Sequence, residues 1–214
     1  MRRVMILGNS PDACARVSAY TSNAEIWSTK GIHAKCQHPE PKRIFEIHPL
    51  DWKGQESELM SVARGKAETG QLPLCIMREH IDAIPTSIAY PMEDVQRVVR
   101  QKYFTCTVSY MLALALLEHT LYVADPIKEL IMVGTFADPH TEYWRNDGSY
   151  WQQRASCEYL LGLLEGRGVE VTIDPESWLF RGRNYADLAK DGVQYVGFET
   201  DLLDEWTNWG NSTK

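Results

Sequence analysis

The stretch "VMILGNSPDA" at residues 4–13 decides the fold of this chain. Its four leading apolar residues are typical of a strand buried on both faces, and the Gly-Asn-Ser-Pro that follows is a strong turn signal. Gly8 permits close approach of the backbone, and Asn9 tolerates left-handed dihedral angles. Ser10 can cap a helix that begins at Pro11. The stretch predicts either an ordinary strand–helix corner or a turn whose amides hold a phosphate, and we expect the phosphate.

The same alternation of strand and helix patterns continues along the chain. Apolar runs of strand length cover residues 3–7, 25–28, 43–47, 73–77, 129–133 and 169–173, and helix-like segments cover 52–68, 105–119 and 151–165. This alternation predicts an α/β fold, a Rossmann-like open and mostly parallel sheet with helices on both faces. We expect one nucleotide-binding domain over residues 1–200 and a weakly patterned C-terminal tail over residues 201–214.

Composition excludes several classes of protein. The chain has 214 residues, 44% of them hydrophobic, which suffices for one sizeable core. No apolar run approaches the roughly 20 residues of a membrane span, so we expect a cytoplasmic protein without membrane contacts. The net charge of −7 argues against a protein that coats duplex DNA, and the densest basic stretch, "RVVRQKY" at 97–103, is short. Five singly placed cysteines predict reduced thiols and no cysteine zinc site.

Polar residues gather where the predicted strands end. In an open parallel sheet, ligands bind at the carboxyl ends of the strands. The residues that follow the strands are Gly8 to Pro11, Ser28 and Thr29, His48 and Pro49, Arg78 to His80, Gly134 with Thr135 and Asp138, and Pro175 with Ser177. Arg78 could clamp a phosphate and His80 could act as acid or base near neutral pH. An equally favoured interpretation is that Arg78 forms a surface ion pair and that His80 is a solvated histidine.

Three further segments carry candidate site residues. Thr105 and Ser109 begin a strongly apolar helix, where they either line the site or, as the favoured alternative, Thr105 only caps the helix. The loop at 134–150 is long enough to be a lid that carries candidate bases, or an ordered surface loop packed by its own aromatic residues. The candidate bases in it are Asp138, His140 and Glu142, whose spacing fits no strong metal signature, so no metal site is predicted. Gln153 and Arg154 follow on the next helix, and Arg154 and Glu158 have the spacing of an ordinary i,i+4 ion pair.

Five segments together resemble Rossmann-like proteins of tailed bacteriophages that are uncharacterised. They are "RIFEIHP" (43–49), "REHIDAIPTSIAYPMEDV" (78–95), "YFTCTVSYMLALAL" (103–116), Gln-Arg-x-x-Cys-Glu-Tyr (153–159) and "VEVTIDPESWLF" (169–180). The resemblance covers most of residues 3–180. It implies the same fold and, for a phage-encoded protein, the host cytoplasm as its location.

A more distant similarity is to small bacterial sialyltransferases and pterin pyrophosphokinase-like proteins. It rests on the Gly-Asn-x-Pro turn, the late Val-Gly strand end and the Pro-x-Ser-x-Leu after the last strand. The similarity implies that residues 8–11 contact a nucleotide phosphate and that Pro175 and Ser177 lie at the nucleotide edge. Ser10 replaces the second glycine of the sialyltransferase turn, and Gln153-Arg154 stand near the place of the catalytic histidine. A nucleotide-linked ligand is therefore the implication, rather than a sialic acid donor.

These patterns favour a transferase that uses a nucleotide or nucleotide-sugar donor as substrate, a metal-independent glycosyltransferase-like enzyme that requires no cofactor. Modified DNA bases or nucleotides are one class of acceptor, and self-association is left open. The alternatives are a non-catalytic protein that sequesters a signalling nucleotide and an interaction protein with a Trp-rich loop. The candidate catalytic residues are His80, Asp138, His140 and Glu142; the candidate nucleotide-binding residues are Gly8, Asn9, Ser10, Pro11, Thr29, His48, Arg78, Thr105, Ser109, Gly134, Gln153, Arg154 and Ser177.

Overall fold

The structure is a computed structural model, which describes residues 1–8, 10, 13–20, 23–29, 41–48, 73–135, 149–177 and 179–180. Strands and helices alternate along these ranges. The strands are β1 (Arg2–Leu7), β2 (Glu25–Thr29), β3 (Arg43–Glu46), β4 (Leu74–Met77), β5 (Ser87–Ala89), β6 (Ile127–Val133) and β7 (Glu170–Ile173). The helices are α1 (Ala13–Val17), α2 (Met92–Val99), α3 (Thr107–Leu121) and α4 (Ser149–Glu165).

The described strands form one parallel sheet in the order β5-β4-β3-β2-β1-β6-β7. This confirms the predicted open α/β, Rossmann-like sheet. The chain builds outward from β1 to β5 and then crosses back to place β6 on the other side of β1. The point where the order reverses is where open sheets leave a crevice at the strand ends. Leu7 is paired with Ser28 of β2 and with Val133 of β6, so these three strands end level with one another.

Alternation along the central strands divides the core between the two faces of the sheet. In β1, Val4 and Ile6 join the apolar cluster that contains residues of α2, α3 and α4. Met5 and Leu7 point to the opposite face, where they pack with residues of α1. The run Met111–Leu117 of α3 is buried throughout, which explains why this helix is apolar all round. Helices therefore cover both faces, as the uninterrupted apolar strands predicted.

A closed ring of charges fixes the amino edge of the sheet. Arg2 begins β1, Glu25 begins β2, Arg43 begins β3, and Glu118 lies near the end of α3. Arg2 contacts Glu25 at 3.1 Å and Glu118 at 2.6 Å, and Arg43 contacts the same two carboxylates at 2.9 and 2.5 Å. The guanidinium of Arg43 also lies 4.6 Å from the ring centre of Trp27. Because each charge has two partners of opposite sign, none of the four is buried unpaired.

The charge ring predicts loss of stability at acid pH. Burial alone would raise the pKa of Glu25, but the hydrogen bond from Trp27 and the charges of Arg43 and Arg2 bring that pKa below its ordinary value. A depressed folded-state pKa contributes stability above the ordinary glutamate range and loses it as pH falls through the folded pKa. The difference in unfolding free energy between wild type and Glu25→Gln should therefore shrink from about pH 7 to about pH 3. A difference that stays constant over this range would contradict the assignment.

The chain divides into two compact units, Met1–Leu179 and Phe180–Lys214. The sheet and all the described helices belong to the first unit. The predicted boundary at residue 200 lies outside the described residues. In the described part of the chain, no helix combines the length and the apolarity that crossing a bilayer requires.

The cysteines do not all match the expectation of reduced thiols. Cys75, Cys106 and Cys157 are free, whereas Cys14 of α1 is disulfide-bonded. The expectation of reduced thiols throughout was therefore wrong for Cys14. Spacing along the chain could not reveal this bond, because the pairing of cysteines cannot be deduced from the sequence alone.

Candidate functional site

The opening turn is built against the end of β6. The Gly8 amide donates a hydrogen bond to the Val133 carbonyl at 2.8 Å, and the Ser10 amide donates to the Gly134 carbonyl at 3.1 Å. The Ser10 carbonyl accepts from the Ala13 amide at 3.1 Å, which starts α1. Two of the amides predicted to hold a phosphate are thus bonded to main-chain carbonyls of β6 and its exit. Asn9 and Pro11 lie outside the described residues.

Gly8 and Gly134 let the ends of β1 and β6 approach more closely than side chains allow. A Cβ on Gly8 would lie 2.3 Å from the Gly134 carbonyl oxygen and 2.7 Å from the Thr135 Cα. Gly134 has a φ of +62°, and a Cβ there would lie 2.3 Å from the Ala13 Cβ. Close contact between two parts of the chain therefore requires both glycines, whether or not a ligand binds nearby.

One buried carboxylate joins the ends of β1, β6 and β7. Asp174 directly follows β7 and is 1% exposed. Its Oδ2 accepts from the Arg16 Nε at 2.7 Å and from the Gly134 amide at 3.2 Å. Arg16 in turn donates to the Ser10 Oγ at 3.0 Å. Ser177 is also drawn to this edge, because its hydroxyl donates to the Thr135 carbonyl at 2.7 Å. The structure thus brings Gly8, Ser10, Gly134 and Ser177 together.

Arg16 and Asp174 were not among the residues singled out from the sequence. Asp174 stands immediately after the last strand, so the rule that selected Pro175 and Ser177 applied equally to it. Arg16 lies inside α1, and nothing in the sequence marks its partner, which is 158 positions away. Only the fold reveals that pair.

Three buried hydroxyl groups flank the end of β1 without a hydrogen-bond partner among the described residues. They are the hydroxyls of Ser28 and Thr29 at the end of β2, and of Thr135 just after β6. Ser28 is fully buried and Thr135 is 2% exposed. A buried polar group without a partner costs about 1–3 kcal/mol, so proteins rarely leave such a group unsatisfied. The place where the strand order reverses, at the carboxyl ends of β1 and β6, is called the switch point below. Polar atoms of a ligand bound there would satisfy these hydroxyls.

The polar residues after β3 and β4 form a separate group on the same edge. His48 Nδ1 lies 2.8 Å from Glu46 Oε1, and His80 Nδ1 lies 2.8 Å from the Ser87 carbonyl. Arg78 is exposed. Since β4 is three strand spacings from β1, Arg78 and His80 follow a strand about 14 Å from the opening turn. The structure does not bring these two residues to the Gly8 turn.

The polar residues at the start of α3 make hydrogen bonds within the protein. Cys106, rather than Thr105, occupies the N-cap position of this helix. The Ser109 hydroxyl accepts from the amides of Thr105 and Cys106 at 3.1 and 3.2 Å. The Thr105 hydroxyl donates to Ser156 of α4 at 2.9 Å. The expectation that Thr105 caps the helix is corrected accordingly, because the cap falls one residue later.

A pair of thiols joins α3 to α4 next to this cap. The sulfur atoms of Cys106 and Cys157 lie 3.6 Å apart. The hydrogen bond with Cys157 and bonds from the Ser109 and Val108 amides lower the pKa of Cys106, although burial opposes them. Burial raises the pKa of Cys157 well above its ordinary value. Cys106 is therefore the more acidic thiol of the pair.

The structure describes some of the remaining predicted site residues, and others lie outside the described residues. Gln153 is half-buried on α4, and Arg154 pairs with Glu158 at 2.6 Å, which confirms the predicted i,i+4 pair. Asp138, His140 and Glu142, with the predicted lid from residue 136 to 148, lie outside the described residues. Among the residues that the structure does describe, no three His, Cys, Asp or Glu side chains are grouped so that they could hold a metal ion.

No family model matches the chain, and neither a curated protein nor a solved structure gives a match. The resemblances to phage Rossmann-like proteins and to sialyltransferases therefore stay expectations from the sequence. What the structure shows is a seven-stranded parallel α/β sheet, in the described residues, with a clamped switch point between β1 and β6.

Proposed function

We propose that the switch point between β1 and β6 binds a nucleotide or nucleotide sugar, and that the protein is a metal-independent, glycosyltransferase-like transferase. The observation that carries the proposal is a set of three buried hydroxyls at the ends of β2 and β6 that have no hydrogen-bond partner in the described part of the chain. They flank β1 where an open parallel sheet offers its crevice. Hydroxyl groups donate to phosphate oxygens and both donate to and accept from sugar hydroxyls, so the set suits a phosphorylated sugar or nucleoside.

Arg16 supplies positive charge beside these hydroxyls. Its Nε and one terminal nitrogen bond Asp174 and Ser10, while the other terminal nitrogen has no hydrogen-bond partner among the described residues. The side chain is 24% exposed, so a ligand can reach it. In the proposed reaction a leaving phosphate gains negative charge, and a fixed guanidinium with nearby hydroxyls stabilises that charge without a metal ion.

The acceptor hydroxyl also needs a base. We assign this role to the segment that follows β6, where Asp138, His140 and Glu142 lie, because its first residues Gly134 and Thr135 are anchored at the switch point. His80 is the second candidate. Hydroxylated nucleobases or nucleotides are the acceptors that fit the resemblance to phage proteins. This proposal places the protein in the cytoplasm of a host cell.

Removing an unpartnered hydroxyl should separate ligand binding from folding. We expect Thr135→Val and Ser28→Ala to leave the free protein as stable as wild type or up to about 1–2 kcal/mol more stable, because an unsatisfied polar group is removed. Each should weaken binding of the nucleotide or nucleotide sugar about 5-fold or more, because a hydrogen bond to the ligand is lost. Chemical denaturation and titration calorimetry measure the two effects.

The control for these variants is Ser18→Ala, which removes an exposed hydroxyl of the segment after α1. It should change neither quantity. The ligand comes from a thermal-shift screen of nucleotides and nucleotide sugars. If Thr135→Val and Ser28→Ala bind that ligand as tightly as wild type, the switch point is not its site.

A non-catalytic nucleotide-binding protein is the second candidate. It is favoured by the distance of His80 from the switch point, because the described residues place no histidine beside the Gly8 turn. Product formation from a stabilising nucleotide sugar supports the transferase, whereas stabilisation without turnover supports the binding protein. If no nucleotide stabilises the chain, an interaction protein with a Trp-rich surface becomes the better proposal.

A further inference from the structure

A basic groove lies on the helical face at the amino edge of the sheet, opposite the switch point. α2 and α4 each pack on α3, and the groove follows the end of α3 between them. Its floor includes His119 and Thr120, and the His119 Nδ1 contacts the carbonyl of Ile127, the first residue of β6, at 2.8 Å. The groove has a volume of about 980 Å³. Because β6 has seven residues, roughly 20 Å separates this edge from the switch point.

Three arginines line the groove, and no carboxylate does so among the described residues. They are Arg97, Arg100 and Arg167. Arg97 pairs with Asp94 at 2.7 Å, but the Arg100 guanidinium has no hydrogen-bond or ion-pair partner in the described part of the chain. Arg167 donates to the neutral hydroxyl of Thr120 at 2.8 Å. In a chain of net charge −7, this local excess of positive charge is a recognition feature for an anion.

Arg100 occupies a backbone conformation that favours glycine. It ends α2 with φ of +59° and ψ of 19°, the left-handed region. Helices commonly end on a residue in this region, but the residue there is usually glycine because a Cβ costs energy. The chain thus keeps a guanidinium where glycine would be the less strained choice. A conformational cost at one position is typical of residues retained for function.

We propose that this groove is a second ligand site, which binds a small polyphosphate such as inorganic triphosphate or the triphosphate group of a nucleotide. Its volume is at the upper end of the range of small-molecule sites. Arg100 and Arg167 would hold phosphate oxygens with paired N–H groups, which suit the planar guanidinium. The half-exposed ring of Tyr159, 41% accessible, offers a face for a base. A long nucleic acid fits less well, because it would extend beyond the groove over an acidic protein.

The groove is independent of the proposed transferase site. Among the described residues that line it, none lies at the carboxyl ends of the strands, and none contacts Asp174 or Arg16. A different reason for the arginines is that they lie at the ends of α2 and α4, where cations stabilise the helix dipole. The two explanations differ in what they require of a ligand, and binding measurements therefore separate them.

The test is titration calorimetry of the full chain with inorganic triphosphate at physiological salt. We expect saturable binding, and we expect Arg100→Gln and Arg167→Gln each to weaken it about tenfold or more, because each removes a charged hydrogen-bond donor. The matched control is Lys128→Gln, which removes an exposed positive charge of β6 that does not line the groove. It should change the dissociation constant less than about twofold, the effect of an exposed charge at a distance.

A second variant at Arg100 separates loss of triphosphate binding from loss of folding. Arg100→Gly should melt at the same or a higher temperature than wild type, since glycine suits the left-handed conformation, and should still lose triphosphate binding. The proposal is overturned if wild type does not bind triphosphate, or if the arginine variants bind it like wild type. It is also overturned if a single-stranded oligonucleotide binds the groove while triphosphate does not. Variants at Ser28 and Thr135 should leave this binding unchanged, so failure here is distinct from failure of the proposed transferase site.

Discussion

Gly8→Ala should destabilise the protein by about 3 kcal/mol or more, although it adds a single methyl group. The added Cβ would lie 2.3 Å from the Gly134 carbonyl oxygen and 2.7 Å from the carbonyl carbon and from the Thr135 Cα. All three atoms belong to the backbone, so no side-chain rotation relieves the overlap. The ends of β1 and β6 would have to separate, which would break the hydrogen bonds of the Gly8 and Ser10 amides. Chemical denaturation measures the loss.

Gly162→Ala is the matched control for this substitution. Gly162 lies in α4, and an added Cβ there meets no atom within 4 Å. Because alanine is a better helix former, the control should gain about 0.5–1 kcal/mol. If Gly8→Ala unfolded at the same denaturant concentration as wild type, the close approach of β1 and β6 would be wrong.

Glu118→Gln should cost about 3 kcal/mol, the second large effect that we expect. The carboxylate is 8% exposed and contacts Arg2 at 2.6 Å and Arg43 at 2.5 Å. Its replacement leaves two poorly hydrated guanidinium groups to share Glu25. The fixed positive charges then repel each other, and their lost hydration is no longer balanced by a second carboxylate. Chemical denaturation at neutral pH is the measurement.

Asp94→Asn provides the comparison for the charge ring. Asp94 also pairs with an arginine, Arg97 at 2.7 Å, but the two side chains are 51% and 74% exposed. An exposed pair contributes about 0–1 kcal/mol, since water and salt already stabilise the separate charges. Equal losses for Glu118→Gln and Asp94→Asn would show that burial of the ring has no energetic consequence.

The sheet could be predicted because its signal is local. Continuous apolar runs such as residues 4–7 and 129–133 predict strands buried on both faces, and helices between such strands require parallel pairing. Glycine and proline marked the end of β1 in the same way. The same local signals misplaced the cap of α3 by one residue. Thr105 has the better capping side chain, but its hydroxyl contacts Ser156 and the N-cap position falls to Cys106.

From the sequence, the candidate site could be predicted only as the set of residues that follow the strands. The rule for parallel sheets selects every strand end equally, so it gave Arg78 and His80 the same weight as Gly8 and Gly134. Strand order distinguishes them, because β6 returns to the side of β1 while β4 lies three strands away. Strand order depends on long-range pairing, for which a single sequence carries no periodic signal.

The sequence by itself determined the fold class, the strand that begins it and the glycine that ends that strand. It did so because burial on both faces and turn chemistry are properties of neighbouring residues. Only the tertiary structure decided why Gly8 is required: the exit of β6, about 125 positions later, occupies the space of its side chain. It also decided which charges pair, as for Arg16 with Asp174 and Glu118 with Arg2 and Arg43. Contacts of this kind depend on distances in space, which the order of residues along the chain does not specify.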